Sequence, residues 1–147
     1  MSKFMDPTRA SLNEAQSARD VFVIRLAEVY LIAAEAQMKL GNLQAAADYI
    51  NVVRTRAAKS GKSAAMQITS AEVTLDFILD ERARELAGEQ IRWFDLKRTG
   101  KLLDRVRADA PDNAVNIQEY HVLRPIPQTQ LDAVTNKTEF TQNQGYQ

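Results

Sequence analysis

Thr69 and Glu72 stand three residues apart at the head of an apolar-periodic run, TSAEVTLDFILDERARELAGEQIRWFDLKRTGKLL, that reaches Leu103. That pairing is the capping box of a helix start, so the spacing predicts a helix opening at Thr69. Val73, Phe77, Ile78, Ala83 and Leu86 recur at helical spacing. Asp76, Asp80, Glu81, Arg82, Arg84 and Glu85 fill the remaining positions. An apolar seam flanked by so many mixed charges predicts a helix wedged among other helices. Gly88 ends or bends it. A shorter helix follows through Ile91, Trp93, Phe94 and Leu96 and stops near Thr99-Gly100.

Upstream, Arg25 to Leu40 (RLAEVYLIAAEAQMKL) carries two apolar stripes. Leu26, Ala27, Tyr30, Ala33, Ala34 and Gln37 form one; Ile24, Leu31 and Met38 form the other. Two stripes predict burial on more than one side. Gly41 ends this helix and Asn42 is placed to cap the next, Leu43 to about Ala58. Leu43, Ala46, Ala47, Ile50 and Val53 give that helix its apolar face, and Arg54, Arg56 and Lys59 sit where cations offset the helix dipole. The short connection makes the two helices antiparallel neighbours. Tyr30, Ala33, Ala34, Gly41, Ala46, Ile50 and Val53 stand at the relative offsets of a tetratricopeptide repeat. One such unit cannot bury its own faces and needs neighbours.

The flanks are plainer. Residues 1–18 read as a polar, irregular lead-in, and 19–147 as the helical module. Ser60 to Ile68 is a polar connection, Lys101 to Ala108 a further helical stretch, and Asp109 to Asn113 turn material. Tyr120 to Pro127 is expected to be extended, because residues before proline avoid the helical region. Pro127 opens a short helix, Gln128 to Val134. Asn136 to Gln147 is a polar tail.

The 147 residues carry 19 basic and 19 acidic side chains. That balance argues against a nucleic-acid partner and against a polybasic membrane-surface segment. The absence of cysteine excludes disulfides, thiolate metal sites and a cysteine nucleophile. No apolar run approaches the roughly 20 residues of a membrane span, and the first 18 residues lack the apolar centre of a signal peptide. Glu81, Glu85 and Glu89 repeat every four residues, as in a helical di-metal site, but such sites also want a Glu-x-x-His motif. The single histidine, His121, lies in a proline-bounded stretch, so no metal and no cofactor is expected. The same histidine is all that a Ser/His/Asp triad would have, without a Gly-x-Ser-x-Gly elbow. No glycine-rich phosphate loop is present. A carboxylate pair for glycoside hydrolysis needs a cleft that nothing here indicates. The reading preferred for the charges is a structural ion-pair network, with Arg82, Arg84 and Arg92 meeting Glu28, Glu35, Glu85 and Asp95 between helices. In that network Arg82→Ala and Glu28→Ala each destabilise the fold. Trp93 is weighed as a sugar-stacking platform and preferred as a core residue beside Phe94 and Leu96. Tyr120 and His121 are the better exposed candidates for ligand contact, but a lone loop histidine is read in preference as a bystander.

Five motifs in order carry a resemblance. They are Arg25 to Leu31 with Ala34-Glu35-Ala36, then Glu81 to Leu86, Arg92 to Arg98, Leu123 to Pro127, and the ending Gln142 to Tyr146. Together, from about Lys3 onward, they resemble the carboxyl-terminal part of the SusD/RagB family. Gln144 stands where that family commonly has proline. The resemblance implies an all-α fold: a tetratricopeptide-like hairpin, additional helices and an extended tail. It further implies a non-catalytic component that captures an oligosaccharide or similar nutrient at the cell surface. Its implied partner is a TonB-dependent outer-membrane transporter, and its implied anchor a lipidated cysteine that this sequence lacks. On that reading the chain is a piece of a longer protein, mainly scaffold, and no ligand-binding residue carries over. The other class left open is a free-standing tetratricopeptide-type adaptor for peptides.

Overall fold

The computed structural model describes all residues except 1–3, 12, 15, 137 and 147. The first residues of the lead-in, Lys3 among them, and the final Gln147 therefore lie outside the described residues. Among those described, the regular structure is entirely helical. The eight α-helices are α1 (Leu26–Lys39), α2 (Leu43–Ala57), α3 (Ser63–Met66), α4 (Leu75–Glu85), α5 (Arg92–Arg98), α6 (Leu102–Asp109), α7 (Pro111–Ala114) and α8 (Gln128–Ala133). The chain forms two compact units, Met1–Glu85 and Leu86–Gln147.

In the first unit α1 and α2 form the antiparallel tetratricopeptide-like hairpin, and α4 packs on α1. Gly41 makes the reversal possible. It takes a left-handed φ of 82°, donates to Met38 O at 3.0 Å, and lets Asn42 N–H reach Gln37 O at 2.9 Å. Those two bonds satisfy carbonyls that α1 would otherwise leave open. The Asn42 side chain does not cap α2; it donates to Gln37 Oε1 at 2.8 Å. Ala34, Ala46 and Ala47 are fully buried between the helices, beside Leu31 and Ile50. Small side chains there let the backbones close on one another. Tyr30 and Tyr49 meet at a ring-centroid separation of 6.1 Å.

Two expectations about this unit need correction. The capping box at Thr69 exists, with Glu72 accepting from both the backbone and the hydroxyl of Thr69, but it caps a 3-10 turn, Ser70–Glu72. Val73 then goes extended and buries its side chain. The long helix starts afresh at Leu75, capped by Thr74 Oγ1, which accepts from Phe77 N–H at 3.1 Å. Burying Val73 outweighs an uninterrupted helix. The second correction concerns α1. Its buried residues are Ala27, Leu31, Ala34 and Glu35, whereas Ile24, Leu26, Val29, Ile32 and Leu40 are exposed. The hairpin covers one face of α1, and an apolar ridge runs along another.

The connection after α2 is held at its end by the Asn51 side chain. Asn51 accepts from Ile68 N–H at 2.8 Å and donates to Ile68 O at 2.9 Å. A side-chain amide thus gives an extended residue the two partners that a neighbouring strand would supply.

The described part of the lead-in is also stitched. The Asp6 carboxylate accepts from Thr8 N–H and hydroxyl, from the Ser17 hydroxyl and from Ala18 N–H. Led by the Thr8 hydroxyl, these donors hold the carboxyl well below its ordinary value of 3.8. Because the folded-state value is depressed, the contribution is complete above pH 3.8 and fades as pH falls below it. The protection of the Thr8 and Ala18 amides, corrected for the intrinsic pH dependence of exchange, should therefore be unchanged between pH 7 and about pH 5, and Asp6→Asn should lower it at both amides. Equal exchange in parent and variant would show that the carboxylate does not organise this loop.

In the second unit a small core forms around Leu96 and Leu102, while Phe94 is exposed and does not join it. Asp109 to Asn113, expected as turn, includes the start of α7, with Pro111 in its first turn. Tyr120 to Pro127 is not extended throughout: Glu119–Val122 winds into a 3-10 turn and the extended course begins at Leu123. The tail grips that course from the side. Gln142 accepts from Ile126 N–H at 2.8 Å and donates to Ile126 O at 2.9 Å, repeating what Asn51 does upstream. Asn143 Nδ2 donates to Arg124 O at 2.8 Å, and the Tyr146 hydroxyl to Leu123 O at 2.6 Å. The grip depends on Gly145, whose φ is 92°; a Cβ there would lie 2.3 Å from the Tyr120 ring. The tail turn closes with Gln144 at its second position and Tyr146 N–H on Asn143 O at 3.1 Å.

Candidate functional site

Two places concentrate polar side chains, one in each unit. In the first unit two carboxylates of α4 each take two arginines. Glu81 Oε2 receives Arg54 and Arg84, both at 2.7 Å. Glu85 Oε1 receives Arg25 and Arg56, both at 2.6 Å, and Arg25 also donates to the Glu85 carbonyl. Arg54 donates onward to Met66 O. Both guanidinium groups lie over the Phe77 ring, with the carbons of Arg54 and Arg84 at 5.6 and 5.9 Å from its centroid. Arg82, only 4% exposed, reaches Glu28 on α1 at 3.4 Å.

The residues singled out from the sequence are thus placed as follows. Arg82 and Glu28 meet. Arg84 turns to Glu81 and Glu85 to Arg25 and Arg56. Glu35 is buried on α1 and pairs with Lys39 at 2.7 Å. Asp95 is buried in the second unit and pairs with Arg98 at 2.9 Å. Arg92 opens α5.

Arg25, Arg54, Arg56 and Glu81 do the joining and were not anticipated there. A signal existed for one of them: Arg54 follows Ile50 by four residues, which puts it beside the buried face of α2, whereas Arg56 is an exposed side chain that reaches Glu85 from the margin. Carboxylates matched by two guanidinium forks suit fastening, not proton transfer. Among the described residues no group of three or more acidic or histidine side chains is placed to hold a metal ion.

In the second unit a shallow cavity of about 350 Å³ lies among α5, α6, α7 and the tail. Val106, Ile117 and Leu123 form apolar walls, with Trp93, Asn113, Asn116, His121, Arg124 and Tyr146 around them. Trp93 is half-buried rather than a core residue, and the Arg124 guanidinium lies over its ring at 5.1 Å. His121 Nδ1 accepts from Gln118 N–H at 2.8 Å, which places the neutral ring's proton on Nε2. Tyr120, Tyr146 and His121 pack ring against ring, with Tyr146 edge-on to Tyr120 at 5.1 Å.

An all-helical chain built on a tetratricopeptide-like hairpin falls in the architectural class of helical-repeat proteins. The comparisons narrow the class: the SusD family model matches residues 1–146, and the chain belongs to that family. Among curated relatives, SusD-like protein P25 of Formosa agariphila is 40% identical over 131 residues, 84% of this chain and 24% of that protein. SusD-like protein P2 of the same organism is 36% identical over 96 residues, covering 60% of this chain and 19% of its own length. SusD-like protein P38 is 33% identical over 90 residues, covering 58% and 18%. The chain therefore spans about a quarter or less of the relatives it matches.

Proposed function

We propose that this chain is the helical scaffold portion of a surface-exposed, non-catalytic nutrient-binding component of an outer-membrane uptake system. In that reading the complete protein holds an oligosaccharide and works with a TonB-dependent transporter. Family membership supports the system. One feature of the fold supports the scaffold role: the uncovered apolar ridge of α1, Leu26, Val29, Ile32 and Leu40, on a hairpin whose other face is already packed. A tetratricopeptide-like unit buries such a ridge against further helices. No helix among the described residues is long and apolar enough to cross a membrane.

Calorimetric titration with an oligosaccharide panel, run on this chain and on a longer protein containing it, tests the reading. The expected result is affinity near the micromolar range, about −8 kcal/mol, for the longer protein and none of that strength for the chain alone. Comparable affinity for extended peptides by the chain alone would instead make it an adaptor. Release of reducing sugar would make the protein a hydrolase.

A further inference from the structure

The geometry points to a binding site for a hexuronate, an acidic sugar unit, in the cavity of the second unit around Trp93 and Arg124. Arg25, Arg54, Arg56, Arg82, Arg84 and Arg98 each face a carboxylate. Arg124 does not. Among the described residues its guanidinium makes no ion pair and no hydrogen bond, and its one neighbour of note is the Trp93 indole at 5.1 Å. A guanidinium laid on an aromatic face keeps its donor edge available, and that fork matches a carboxylate. None of the residues lining the cavity is acidic, so no carboxylate in the lining competes with an incoming anion for Arg124.

The rest of the lining decides what carries the carboxylate. The cavity of about 350 Å³ falls at the small end of ligand sites and takes one sugar ring. Its apolar walls suit the C–H face of a pyranose. Among the described residues the side-chain amides of Asn113 and Asn116 make no hydrogen bond, and both line the cavity. Amides that offer donors and acceptors suit hydroxyl groups. A plain aromatic acid would leave them unmatched, and a site pays for polar groups left unmatched. The walls are held in place by the tail: Tyr146 lines the cavity and is tied by its hydroxyl to Leu123, while Asn143 ties the Arg124 carbonyl. Arg124 therefore stands on a braced backbone. The site lies outside the scaffold role proposed above and does not depend on it.

The chain has a single tryptophan, so its fluorescence reports this cavity. The whole chain is titrated with sodium glucuronate, glucose and sodium acetate at matched ionic strength. Glucuronate should give a saturable change with a Kd of about 1 mM, and glucose and acetate should bind at least roughly tenfold more weakly. Arg124→Gln, on an exposed side chain, should bring glucuronate down to the level of glucose without moving the melting temperature, and amide resonances of Asn113 and Asn116 should shift only with the sugar acid. Equal response to glucose would remove the role of Arg124, and equal response to acetate the role of the sugar ring. No saturation by about 50 mM, well past the expected Kd, would overturn the site altogether. Loss of the cavity's binding with micromolar oligosaccharide affinity intact in the longer protein would refute this site alone; the reverse would refute the uptake reading alone.

Discussion

Truncating Leu31 to alanine lowers the unfolding free energy of this chain by about 3–4 kcal/mol, the usual cost of emptying a fully packed leucine site. Leu31 has no exposed surface and sits where α1 meets α2, beside Ala34, Ala46 and Ile50, all equally buried. Backbones brought together by alanines have little room to collapse into the void. For a chain of this size the melting temperature should fall by roughly 10 °C. Leu26→Ala, in the same apolar run but 66% exposed, should stay within about 0.5 kcal/mol of the parent. In a longer protein where the α1 ridge is covered, Leu26→Ala should become costly, while the cost of Leu31→Ala stays about what it is here. Urea melts of both variants decide the point, and equal effects in the short chain would mean that the ridge is not uncovered.

Arg82→Ala should cost about 3 kcal/mol. Arg82 is almost wholly buried, and Glu28, its partner at 3.4 Å, has only 14% of its side chain exposed. Removing the cation strands a largely desolvated carboxylate, which is worse than never having built the pair. Replacing both residues at once, Arg82→Met with Glu28→Gln, should recover part of the loss, because the Glu28 carboxylate is then no longer left without its cation. A single variant that melts with the parent, or a double variant no better than the single, would show that the pair is not a fastener.

Much of the hairpin is written locally. Gly41, the alanines at 34, 46 and 47, and the periodicity of α2 act within a few residues of where they stand, so α1 and α2 can be read without their surroundings. The Thr69–Glu72 box was legible for the same reason, and misleading for the same reason. It correctly closes a turn, yet says nothing of whether Val73 beyond it will be buried and so break the helix. The charges were harder. That the α4 carboxylates would be fastened by arginine follows from their density. Which arginines do it, Arg54 and Arg56 of α2 and Arg25 at the start of α1, depends on partners 27, 29 and 60 residues away. The cavity of the second unit was least legible. Trp93, Asn116, Arg124 and Tyr146 share no motif and no period.

By itself the sequence determined the helical class, the hairpin with its glycine-closed turn, and the family, because each rests on short-range periodicity, caps and motif order. Tertiary structure decided which apolar face of α1 is spent and which remains, which arginine neutralises which glutamate, and that Arg124 alone is laid on an indole without a carboxylate among the described residues. Those outcomes are settled by competition between distant groups for the same buried surface and the same charge, and such competition is resolved only when the chain is folded.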